Sequence, residues 1–344
     1  MKNTFIGLFL VFPLFVFGQT VWPSPEIGQM YHNANEDIAR GNFKDAITIS
    51  RQAILLAPHM PVFFNQLATA YNLSGNYNEA ENSLNKLEPE ECDTQCFRLL
   101  AASQAAQKKI KQSVKTIQDG IDRFPGCGSL YHEKGIICIL AGKEDEAIHA
   151  WLDGMEHDPG FAPDYYDAAT ACLNSEKVLR GLISGEIFLA MKHDTFADTA
   201  LKNKMYAGYK TLFEKIADNG KPDKKHQKNT FEDAVLNTFT LLTPVVSDGI
   251  TTENLVMVRT RFLMDWFADY SDKYPFPLFG YLEDMIATGH FDVYNQWLFG
   301  AAENSQQYEA WNRFHEGDMA RFEEWKAANP FIPTSFSFGA GRLK

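Results

Sequence analysis

Two histidine–glutamate pairs, His132-Glu133 and His315-Glu316, come nearest in this chain to a hydrolytic metal site. A zinc-protease helix needs a second histidine one turn after the first, so that both rings project from one face. Those places hold Ile136 and Met319, and both pairs therefore read as solvated or groove-facing side chains. The carboxylate runs Glu88-Glu90-Glu91 and Glu144-Asp145-Glu146 fall on expected loops and helix starts, where the positive helix terminus explains acidic residues without catalysis. No glycine-rich phosphate loop and no Gly-x-Ser-x-Gly nucleophile elbow occurs. Of the five cysteines, Cys92 and Cys96 flank a short loop and could form a local disulfide. Cys127 falls in a loop, and Cys138 and Cys172 fall on apolar helix faces as buried thiols. No second cysteine or histidine pair stands at zinc spacing. The chain reads as non-enzymatic, with no metal and no cofactor.

The elements that hold these residues belong to a chain of 344 residues with net charge −12. A nucleic-acid binder needs clustered Lys and Arg to neutralise phosphates, so this charge argues against nucleic acid and against an anionic membrane surface. The N-terminus reads as an address. Lys2 precedes an apolar run from Phe5 to Phe17, and Val16 and Gly18 are small enough for a signal peptidase site before Gln19. The run is short for a bilayer span, which takes about 20 residues. Residues 1–18 are expected to be a signal peptide, its ending similar to leaders of the Bacteroidetes bacteria, and the destination periplasmic or secreted.

Self-similarity organises the next part of the chain. Segments with a helix-turn-helix pattern start near Ile27, Pro61, Thr94 and Gly128, with a degraded one near Ala162, at offsets of 34, 33, 34 and 34 residues. Small residues recur at Ala34, Ala68, Ala101 and Gly135 in the first helix, and at Ala46, Ala80 and Ala147 in the second, where two helices must cross closely. Gly41, Gly75 and Gly142 stand at the turn, where the third segment has Lys108. Pro58, Pro125 and Pro159 stop the second helix, and Tyr71, Tyr77 and Trp151 fill the space between neighbours. This register resembles the tetratricopeptide (TPR) repeat over residues 27 to about 190. The pattern fades after Leu173: Ser175-Glu176-Lys177 replaces the turn glycine, and Gly181 and Gly185 are expected to interrupt the next helix.

From Phe196 the apolar spacing remains helical and no period-two alternation occurs, so the fold class is all-α. Helices are expected at 196–217, 231–243, 252–270, 277–288, 291–300 and 306–328, with a Lys-rich loop from Asn219 to Thr230 and an extended tail from Phe331. The expected architecture is a TPR-like α-solenoid of about five helical hairpins (19–190), followed by an aromatic-rich helical C-terminal region (191–344) that either continues the repeats or forms its own domain.

The resemblance implies a concave face lined by the first helix of each hairpin. Its residues would be Tyr31 and Asn35; Asn65, Gln66, Thr69 and Asn72; Gln95 and Arg98; His132 and Glu133; and Tyr166 and Asp167. Amides there could hydrogen-bond an extended peptide, and tyrosines would supply apolar area with a polar tip. The basic clamp that some family members use for chaperone tails is not matched, because Tyr31 and Leu99 stand at its positions, although Asn35 agrees. The expected function is an exported adaptor that binds a protein or peptide, with an envelope complex as one setting for it. The alternative is a C-terminal region that binds a small ligand or acts as an enzyme, with the repeats as its targeting arm, because Trp297, Trp311 and Trp325 could line a pocket.

Overall fold

The computed structural model describes residues 22–191, 196–219 and 230–334. The expected leader and its cleavage site, nearly all of the Lys-rich loop and the end of the tail lie outside these residues. Among the described residues every regular element is helical. The chain forms two compact units, Met1–Leu99 and Leu100–Lys344.

In the first unit α1 (Pro25–Arg40) pairs with α2 (Phe43–Leu56), and α3 (Pro61–Leu73) pairs with α4 (Tyr77–Leu84). A 3-10 turn at Pro89–Glu91 leads to α5 (Thr94–Ala106), which runs on into the second unit. There α6 (Ile110–Arg123) completes its hairpin, followed by α7 (Gly128–Leu140) with α8 (Glu144–His157), then α9 (Ala162–Leu173) with α10 (Val178–Ala190). Four hairpins start at the residues read from the repeat, and the first starts two residues earlier, at Pro25. Hairpins nest side by side within each unit, which makes this an all-α, TPR-like solenoid.

Physical causes recur from hairpin to hairpin. Gly41, Gly75 and Gly142 have φ of 79°, 77° and 72°, the left-handed turn that ends the first helix. Lys108 takes the same place with φ 63°, the one positive-φ residue other than glycine among the described residues. Ala34, Ala46, Ala68, Ala80, Ala101 and Ala147 are fully buried. At Gly135 the approach is close: a Cβ there would lie 2.1 Å from Trp151 Nε1 on the paired helix.

The remaining helices are α11 (Phe196–Asn219), α12 (Phe231–Leu241), α13 (Thr252–Asp269), α14 (Pro277–Ala287), α15 (Phe291–Asn295), α16 (Ala301–Glu303), α17 (Ser305–Phe314) and α18 (Glu316–Ala328). A π turn at Gln296–Gly300 joins α15 to α16. The helix expected at 306–328 is thus two helices, broken at His315, whose φ of −118° departs from the helical value, ends α17 and opens α18. Thr230 and Thr251 start α12 and α13 by accepting the amides of Asp233 and Asn254.

The expectation that Gly181 and Gly185 interrupt their helix is corrected. Helix α10 runs through both, and the missing side chains admit neighbours: a Cβ at Gly181 would meet Leu173, and one at Gly185 would meet Met205 of α11. One apolar core then extends from Cys138 to Phe331 without a break at residue 190. Its centre is aromatic, with Phe239 stacked on Phe262 at 4.5 Å and Trp266 fully buried.

Candidate functional site

The residues expected to line the inner face sit on the first helices of the hairpins. Much of their hydrogen-bonding capacity is used between those helices. In the first unit, Gln66 of α3 donates from Nε2 to the carbonyl of Tyr31 on α1, at 2.8 Å. Asn65 donates from Nδ2 to both oxygens of Asp93, at 3.0 Å each, and Asp93 in turn accepts the amide of Cys96 at 2.8 Å. Asn72 donates to the carbonyl of Leu99 on α5 at 3.4 Å. Thr69 turns back on its own helix, donating to the Asn65 carbonyl at 2.7 Å. A rung on every other helix thus pins the spacing of the first helices.

In the second unit, His132 Nε2 of α7 lies 2.8 Å from Asp167 Oδ2 of α9, and the edge of the Phe161 ring stands against the imidazole, 5.7 Å between centroids. The Trp151 indole donates to the His132 carbonyl, and Asp158 accepts the Gly128 amide at 2.9 Å. These contacts do for α7 and α9 what Asn65 and Gln66 do in the first unit.

Asn65, Gln66 and Glu133, expected to be open to a peptide, are buried. The amides of Asn65 and Gln66 turn inward, bonding to Asp93 and to the Tyr31 carbonyl of the neighbouring first helix. Asn65 Oδ1 and Gln66 Oε1 are buried acceptors with no hydrogen-bond partner, and a peptide backbone does not reach them. What remains accessible is narrower. Asn35 is exposed, and Tyr31, Gln95, Arg98, Tyr166 and Asp167 are half-buried. Tyr31 packs against Trp22 with centroids 4.8 Å apart, Arg98 donates to Gln95 at 2.8 Å, and Tyr166 leans on Phe188.

Asp164 escaped sequence reasoning. It sits in the first turn of α9, wholly buried, with neither carboxyl oxygen bonded. Its carboxyl fills the place where a side chain at Gly154 of α8 would stand, 2.0 Å from that Cβ position. Burial pushes its pKa up to about 9, and the charges of Asp167 and Asp158 add to the shift. The carboxyl is therefore neutral at pH 7. A lone Asp on a helix face gives no sign of this in a sequence.

The cysteines stand as the spacing allowed. Cys92 and Cys96 are joined, and the bridge spans Asp93, the acceptor for Asn65. Cys138 and Cys172 are buried thiols, and burial pushes Cys172 up to about 12. Among the described residues no group of three His, Cys, Asp or Glu is placed to hold a metal ion, and no helix is long and apolar enough to cross a membrane.

The aromatic density of the C-terminal helices goes into packing. The space enclosed by Leu179, Ile183, Phe239, Phe262 and Phe279, with Arg259 and Glu186 at its edge, measures about 30 Å³. That is room for a water; a second, open cleft in this region, beside Lys210, Phe213, Val246 and Ile250, measures about 440 Å³ and is lined by none of the tryptophans.

No protein-family model and no curated protein matches this chain. Among solved structures, it is similar to TTC0263, a thermophilic TPR protein of Thermus thermophilus, at 15% identity and TM-score 0.43, over 53% of this chain and 98% of that one. MamA of Desulfovibrio magneticus aligns at 14% identity and TM-score 0.37, over 48% and 93% of the two chains. YrrB, described as a TPR protein with an unusual peptide-binding site, aligns at 18% identity and TM-score 0.33, over 46% and 83%.

Proposed function

We propose that this chain is an exported member of the TPR group, a non-enzymatic scaffold that docks a protein or peptide on the inner face of its first helices. One observation carries the reading: side-chain rungs, from Gln66 to Tyr31, Asn65 to Asp93 and His132 to Asp167, hold those helices at fixed spacing. A surface set rigidly before binding loses little freedom when a partner arrives. In the first unit a partner would touch Asn35, Gln95 and Arg98; in the second, Tyr166. Destination follows from the leader, with cleavage before Gln19 and a periplasmic or secreted protein as the product, free or within an envelope complex. The Cys92–Cys96 bridge suits an oxidising compartment.

A photo-crosslinking side chain placed at Asn35, in the protein expressed in its own cells, tests the docking face. Discrete adducts from Asn35 and none from Lys111, exposed on α6, are expected. The same adducts from both positions, or none from Asn35, would overturn the reading. N-terminal sequencing of the protein from cell fractions tests the destination, and a mature chain starting at Gln19 is expected.

A further inference from the structure

Helix α4 has eight residues, whereas its counterparts α2, α6 and α8 each have fourteen. The chain leaves the helix at Asn85 and reaches Cys92 through a 3-10 turn. Between the C-terminal half of α2 and the face of α4, above α3, lies an open cleft of about 480 Å³. Its apolar lining is Ile54, Phe64 and Leu67, with Leu55, 82% exposed, at its edge. Arg51, Tyr71, Glu79, Asn82, Ser83 and Lys86 form the rim.

We propose that this cleft is a second docking site, and that it takes a short amphipathic helix with an acidic flank from a protein partner. Three observations select that occupant. First, the walls are helices, whose backbone groups are paired along the helix except at its ends, so they offer no ladder to an extended strand. The occupant must satisfy its own backbone, as a helix does. Second, the stretch of α4 that lines the cleft, from Glu79 to the helix end at Leu84, is ~8 Å long at ~1.5 Å per residue, about one and a half helical turns, with Lys86 just beyond it. Third, Arg51 and Lys86 have no carboxylate partner among the described residues, and Arg51 is held toward the cleft by a 2.5 Å bond to the Tyr71 hydroxyl. Glu79 is the one carboxylate on the rim. In a chain of net charge −12, a rim with two cations to one anion selects an acidic ligand.

The cleft is separate from the inner face. On α3, Phe64, Leu67 and Tyr71 line the cleft, whereas Asn65, Thr69 and Asn72 lie roughly 100° further round the helix, at ~3.6 residues per turn.

The test uses the full chain and a fluorescein-labelled 14-residue helical peptide of Leu, Ala and Glu, with leucines at i, i+3 and i+7, read by anisotropy. A twin with Lys in place of Glu and competition by decanoate complete it. Saturable binding of the acidic peptide is expected, weakened at least tenfold by Arg51→Glu with Lys86→Glu and by Leu55→Asp. The last side chain is solvent-facing, so its replacement leaves the fold intact. Asn35→Ala, on the inner face, should change nothing. Equal binding of the basic twin, indifference to all three substitutions, or displacement by decanoate at lower concentration than by unlabelled peptide would overturn the proposal. Failure here would leave the inner-face reading standing, because none of its residues is touched.

Discussion

Arg259 and Glu186 form an ion pair that is buried on both sides, the guanidinium of α13 bonding to the carboxylate of α10 across 73 residues of sequence. The same carboxylate accepts the Tyr294 hydroxyl at 3.1 Å, and Arg259 also donates to Asn295. The rings of Phe291, Tyr294 and Phe299 surround the guanidinium with centroids 5.3–5.7 Å away. The end of the repeat array and the C-terminal helices are therefore locked together by an ion pair buried on both sides. Removing one partner strands the other in an apolar interior, which costs about 3–5 kcal/mol. Glu186→Ala should lower unfolding free energy by that amount in urea titrations. Glu186→Leu with Arg259→Met should recover most of it.

Two glycines inside helices should answer in opposite senses. Gly135→Ala drives a methyl into the Trp151 indole and should destabilise by about 1–3 kcal/mol, the cost of overpacking. Gly280→Ala in α14 meets nothing within 4 Å and should stabilise by up to ~1 kcal/mol through helix propensity. Thermal melts of the two variants beside the wild type decide it.

Lys108 is strained in a left-handed turn that glycine adopts freely. Lys108→Gly should raise stability by about 0.5–1 kcal/mol, whereas Gly142→Ala, at φ 72°, should lower it by about 1 kcal/mol. Denaturant midpoints at constant slope are the measurement.

Asp164 gives stability a pH dependence of unusual sign. Its folded-state pKa, about 9, lies above the ~3.9 of an unfolded aspartate, so the native state holds a proton that the unfolded state releases. The contribution is complete below pH ~4 and is lost as pH rises toward 9. Asp164→Asn should flatten that slope, and its advantage over wild type should grow from pH 5 to pH 8. Urea midpoints at pH 5, 6.5 and 8 would show it; parallel curves for the two proteins would contradict it.

Much of the architecture was written in local patterns. A hairpin of fixed length needs a small residue at its crossing and a left-handed residue at its turn, so Ala34, Ala68, Gly135 and Gly75 reveal the register in a single sequence. Even the exception at Lys108 keeps its place. Burial of Asn65, Gln66 and Glu133 was not legible, because it depends on the distance to the next hairpin, and the repeat pattern does not encode that distance. The same holds for Gly181 and Gly185, which look like helix breakers alone and are contact points once α11 lies against them. The break at His315 came without proline and without a glycine at the break itself. The pairing of Glu186 with Arg259 joins positions that no short-range rule relates.

Helix α11 has one more consequence. Stacked hairpins end in an apolar edge, and an edge of that kind invites a second molecule to add on, then a third, without limit. Met205 and Gly208 of α11 seat against Gly185 and Leu173 at that edge, so α10 is enclosed along almost its whole length. Growth into filaments through this end is denied.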